Sequence, residues 1–78
     1  MQYQVIQHLK TKSKKLAVLG TAEEAKKFIE GTGARFSEYS YIGDFPVFVD
    51  GHKTYSVQGL ASIGVVCSLP KEERSIWS

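Results

Sequence analysis

The chain has 78 residues, of which 42% are hydrophobic and 23% charged, with a net charge of +2. These are globular proportions at the size of one domain, and they exclude a disordered chain or a second core. Cys67 is the only cysteine, so no intramolecular disulfide can form.

The segment Met1 to His8 is polar and alternating, unlike the apolar core of a signal peptide. No run approaches membrane-spanning length. The expected setting is therefore a reducing, cytoplasmic compartment, with no membrane as partner. The charge is uneven. Residues 1–20 hold Lys10, Lys12, Lys14 and Lys15 and no acid, giving +4, whereas residues 21–78 hold six basic and eight acidic residues, giving −2. The excess positive charge sits in one short stretch.

Met1 to Lys10 alternates as a half-buried strand. Tyr3, Val5 and Leu9 fall on one face, and Gln2, Gln4, Ile6 and His8 on the other. Residues 11–14 are polar and predict a turn, and Lys15 to Leu19 resumes an apolar strand that Gly20 ends. The two strands read as an antiparallel hairpin with lysines at its tip. Thr21-Ala22-Glu23-Glu24 is a capping box that opens a helix over Ala22 to Glu30, with Ala22, Ala25, Phe28 and Ile29 on one face. Gly31 is the expected left-handed stop.

Phe36 to Ile42 predicts an aromatic-rich strand, and Gly43-Asp44 a turn. Two apolar runs, Phe45 to Val49 and Lys53 to Val57, flank Asp50-Gly51 as a hairpin. Of two registers, the one placing Phe48 opposite Tyr55 and Val49 opposite Thr54 brings apolar groups together. Pro46 suits a strand start or an edge. Residues 59–69 predict an irregular turn and then a buried strand, Ile63 to Cys67. Pro70 can open a last helical turn that folds Ile76 and Trp77 back onto the body. The expected fold is α+β: a small, mostly antiparallel sheet of order ββαβββ, with a possible sixth strand and one main helix on one face.

The main candidate site is the basic hairpin. Lys10, Lys12, Lys14 and Lys15, with Arg35, could contact phosphates, while Tyr39 and Tyr41 stack on bases or anchor a protein. Lysines on a hairpin are equally a solvated loop that protects a sheet edge. Tyr39, Tyr41, Phe45, Phe48 and Tyr55 form an aromatic belt, most of which a small core must absorb. His8, His52 and Cys67 stand at no metal-ligand spacing, so no metal or other cofactor is expected. Glu23-Glu24 and Glu72-Glu73 are adjacent pairs rather than pairs facing across a site, and no catalytic residues are assigned.

Lys15 to Phe36, followed by Phe45-Pro46-Val47-Phe48-Val49-Asp50-Gly51, resembles parts of glutaredoxin-like domains. Those run strand, helix, strand and then a proline-led strand ending in Asp-Gly. The resemblance spans about half the chain and implies a degenerate member without redox activity. Gly20-Thr21-Ala22-Glu23 stands where the family's cysteine pair opens the first helix, and a second helix has no room between Tyr41 and Phe45.

Size and the lack of site chemistry point to a small non-enzymatic protein that docks on another macromolecule, foremost a protein. Inhibitors, adaptors and accessory proteins of viruses and mobile elements are of this type. Nucleic-acid binding through Lys10 to Lys15 is the alternative, and an edge strand could support a homodimer.

Overall fold

A computed structural model describes residues 1–40 and 45–78. The strands are β1 (Gln2–His8), β2 (Ser13–Leu19), β3 (Arg35–Tyr39), β4 (Pro46–Asp50), β5 (Lys53–Leu60) and β6 (Val66–Cys67). Helix α1 (Ala22–Gly31) lies between β2 and β3, and a 3-10 turn, Lys71–Glu73, leads into the short α2 (Arg74–Trp77). The sheet is antiparallel throughout, in the order β2-β1-β5-β4-β3, and β6 pairs with the end of β5. This is the α+β fold of order ββαβββ with a sixth strand.

The alternation in β1 sets the two sides of the sheet. Tyr3 and Val5 face α1 and are buried, and they lie opposite Gly59 and Val57 of β5. The hairpin at Asp50-Gly51 takes the apolar register: Phe48 pairs with Tyr55, Val49 with Thr54 and Asp50 with Lys53. Pro46 is the first residue of β4, where the missing amide donor costs least. β2 and β3, which flank α1 in sequence, lie at opposite edges of the sheet. The strand–helix–strand run is therefore not a pair of neighbouring strands joined by a crossover, and the glutaredoxin-like resemblance extends only to the order of elements.

Thr21 caps α1, its hydroxyl oxygen accepting from the Glu24 amide at 3.2 Å. The other half of the capping box differs from expectation. The Glu24 carboxylate accepts from the Thr21 hydroxyl itself, at 3.0 Å, rather than from its amide. Two further sequence expectations are corrected here. Phe28 is 37% exposed, because the buried stripe of α1 is Ala22, Ala25 and Ile29. The left-handed residue after the helix is Gly33, at φ +92°, while Gly31 closes the last helical turn.

The C-terminal segment completes the core. Trp77 is 1% exposed and stacks edge-on against Phe48 at 6.3 Å between ring centres, with Tyr3 at 6.2 Å on another side. Phe36 extends this ring cluster, edge-on to Phe48 at 5.8 Å and to Tyr39 at 5.0 Å. The Trp77 indole Nε1 has no hydrogen-bond partner, so the ring is held by packing alone.

The Tyr3 hydroxyl ties the first strand to this tail, lying 2.6 and 2.8 Å from the two carboxylate oxygens of Glu73. Burial, that hydrogen bond and the negative charges of Glu73 and Glu23 push the Tyr3 pKa above its ordinary value. The folded state thus holds this proton more tightly than the unfolded chain does. The resulting stability is complete below about pH 10, the unfolded tyrosine pKa, and is lost as pH rises beyond it. Urea midpoints at pH 8 and pH 11 check this. Tyr3→Phe should shrink the fall between them, and an undiminished fall would remove Tyr3 as its cause.

Candidate functional site

Register places the candidate residues at two opposite ends of the sheet. His8 pairs with both Ser13 and Thr54, Asp50 with Lys53, and Arg35 with Val49. The β1–β2 turn, the β4–β5 turn and the start of β3 therefore share one end. Lys10, Lys12, Lys14, Lys15, Arg35, His52 and Lys53 are all exposed there. Lys10 and Lys12 lie in the turn, closed by the Leu9 amide donating to the Lys12 carbonyl at 2.8 Å, while Lys14 and Lys15 begin β2. The structure thus brings Arg35 and Lys53, distant in sequence, to the end that carries the lysine hairpin. Asp50 belongs to this end as well, and Glu30 to the last turn of α1 that leads to it.

Tyr39 does not join them. A register shift between Phe36 and Glu38 puts Phe36 and Tyr39 on the core side together. The Tyr39 hydroxyl donates to the Arg74 carbonyl at 2.6 Å, and the Arg74 guanidinium lies 4.8 Å from the ring centre. Tyr39 is half-buried, with the Arg74 guanidinium over its ring and Phe36 in T-shaped contact with it, so it is not an open stacking platform. Tyr41, with the expected Gly43-Asp44 turn, lies outside the described residues.

The far end of the sheet carries a different surface, which sequence reasoning missed. The expected buried strand Ile63 to Cys67 is instead a hairpin whose apolar side chains face outward. Only Val66 and Cys67 pair with β5, at Leu60 and Gly59. The Ala61 amide donates to the Val65 carbonyl at 2.9 Å, and the Gly64 amide to the Ala61 carbonyl at 2.8 Å. Gly64 takes φ +84°, which a side chain would disfavour. Ile63, at the tip, is 83% exposed, with Val65 at 54% and Val66 at 48%. Met1 is exposed close by, its sulfur 3.5 Å from that of Cys67. Cys67 is half-buried rather than enclosed. The only hint in the sequence was Gly64, which suits a tight turn better than the middle of a strand.

The sheet face away from α1 holds a polar cluster. Buried Ser56 lies 2.7 Å from His8 Nε2, and the amide of buried Gln4 donates to Gln58 Oε1 at 3.3 Å. His8, Ser40, Phe45, Val47, Ser56 and Gln58 line an open pocket of about 230 Å³. Among the described residues no carboxylate lines it. A second, wider groove of about 640 Å³ lies between α1, the start of β3 and the C-terminus. Its charged lining, Lys26, Glu30 and Arg35, mixes both signs and selects neither anions nor cations. Among the described residues no three His, Cys, Asp or Glu side chains converge as metal ligands, and no helix is long and apolar enough to cross a membrane.

The chain matches no family model, and no curated protein or solved structure is significantly similar to it. Surface chemistry therefore carries the functional reading.

Proposed function

We propose that this protein is a small non-enzymatic module that docks on another protein through the apolar hairpin of residues 61–66. The supporting observation is the exposure of Ile63, Val65 and Val66 together on one short, hydrogen-bonded turn. A β-branched side chain left more than four-fifths in water at a turn tip gains nothing for folding. Buried in a partner's pocket, it becomes the kind of desolvated anchor on which interfaces depend. The turn is braced by its own hydrogen bonds and by β5, so little conformational freedom is lost on docking. The His8–Ser56 pair fits this reading as a structural hydrogen bond that satisfies the buried Ser56 hydroxyl.

Ile63→Ser combined with Val65→Ser tests the proposal. Both positions are exposed, so the urea midpoint should stay within about 0.5 kcal/mol of the parent. Proteins cross-linked to the parent chain in a lysate would be identified, purified and titrated against both forms. The expected result is a partner bound at least about tenfold more weakly by the double variant, equivalent to about 1.4 kcal/mol. Equal affinity of every purified partner for the two forms would overturn the assignment.

A further inference from the structure

We infer that the basic end of the sheet is a clamp for the phosphate backbone of a nucleic-acid duplex, separate from the apolar hairpin at the other end. Three chain segments converge there: the β1–β2 turn with the start of β2, the β4–β5 turn and the start of β3. They bring Lys10, Lys12, Lys14, Lys15, Lys53 and Arg35 to one rim, all exposed. Among the described residues the acids of this end are Asp50 and Glu30. The Asp50 carboxylate is turned toward Gly33, 3.6 Å from where a side chain there would begin. At the far end Glu23 and Glu73 gather around Tyr3, with Glu24 and Glu72 adjacent to them in the chain, and Lys71 and Arg74 of the same tail offset two of these four charges. A chain of net charge +2 is thus polar along its strands, with the positive pole at the turns.

A sheet edge needs one or two lysines to discourage strand pairing. That requirement covers Lys14 and Lys15 on the edge strand β2 and Arg35 on the edge strand β3, but it leaves unexplained Lys10 and Lys12 in the β1–β2 turn and Lys53 on the interior strand β5. The β2–β1–β5–β4–β3 rim spans four strand spacings, about 19 Å at roughly 4.8 Å each. That width reaches several successive phosphates on a strand or both backbones across a groove. Among the described residues, the strands of this rim offer the cations no open aromatic ring. Phe48 and Tyr55 are buried, Phe36 packs on Phe48, and Tyr39 is held by Arg74. Base stacking, the usual means of holding single strands, is therefore not offered by these rings. The surface suits sequence-independent contact with duplex phosphates.

Fluorescence anisotropy of labelled 20-base-pair DNA and RNA duplexes, at 50 to 200 mM salt, tests the inference. Four to six neutralised phosphates predict a log–log salt slope of about −4 to −5, a loss of about 10²–10³ in affinity over that range. Changing Lys10, Lys12, Lys14 and Lys15 to Gln should flatten the slope by about 3.5, and Lys53→Gln with Arg35→Gln by about 2. The second effect separates a clamp across the whole rim from a lysine loop acting alone. The Trp77 emission spectrum confirms that each variant is folded. The inference is overturned if neither duplex binds at 50 mM salt, if the slope survives both sets of changes, or if heparin or an acidic polypeptide binds while the duplexes do not. Ile63→Ser with Val65→Ser leaves duplex binding unchanged, so this result stands or falls separately from the protein-docking reading.

Discussion

Trp77→Ala is expected to remove about 3–5 kcal/mol of stability, the usual cost of emptying a large aromatic site. For a domain of this size that is a large share of a total of about 4–12 kcal/mol, and at the lower end of that range the variant is largely unfolded. The argument rests on position. The indole lies between Tyr3 at the start of β1, Phe48 in β4 and the helix α1, and it closes the side of the core that the single long helix leaves open. Trp77→Phe supplies the contrast. Because Nε1 has no partner, the smaller ring loses volume but breaks no hydrogen bond, and about 1–2 kcal/mol is expected. Urea denaturation followed by far-ultraviolet circular dichroism measures both, since the only tryptophan is the residue removed. Equal midpoints for the parent and the alanine variant would mean that the core closes without α2.

This dependence on the tail was only partly legible in the sequence. Ile76 and Trp77 after a proline suggest a fold-back, but nothing local says that the ring reaches Phe48 rather than resting on the surface. Signals that depend on neighbours along the chain were more readable. The alternation through Tyr3 and Val5, the Thr21 cap and the Phe48–Tyr55 register all follow from short-range geometry, and all are present. The misreadings share a different cause. The sequence offers Tyr39 as an open ring, but one extra residue between Phe36 and Glu38 turns it to the core side. Ile63, Val65 and Val66 have the composition of a buried strand, but no described element packs over them, and composition cannot report a missing neighbour. The candidate site was half legible for the same reason. The lysine run is local, whereas the arrival of Lys53 and Arg35 beside it is a property of strand order.

The exposed hairpin also depends on one long-range contact, and Gly59→Ala is expected to release it. Gly59 sits in β5 between Tyr3 of β1 and Cys67 of β6. A methyl group there would begin 2.7 Å from the Cys67 carbonyl oxygen and 3.0 Å from the sulfurs of Cys67 and Met1. The sulfurs can swing aside, but a backbone carbonyl cannot move without shifting the strand that carries it. Such overpacking costs about 1–3 kcal/mol. β1 pairs with β5 over seven residues and β6 over only two, so the strain is relieved by moving β6. Local opening should therefore exceed global loss of stability. The Ala61 and Gly64 amides, bonded within the turn, should exchange with solvent at least about tenfold faster in the variant, while the Val5 and Val57 amides stay protected. Any protein bound through Ile63 should be lost as well, because the anchor would no longer be held in place. Unchanged exchange at Ala61 and Gly64 would show that the hairpin is fixed by its own turn, and the docking surface would then owe nothing to Gly59.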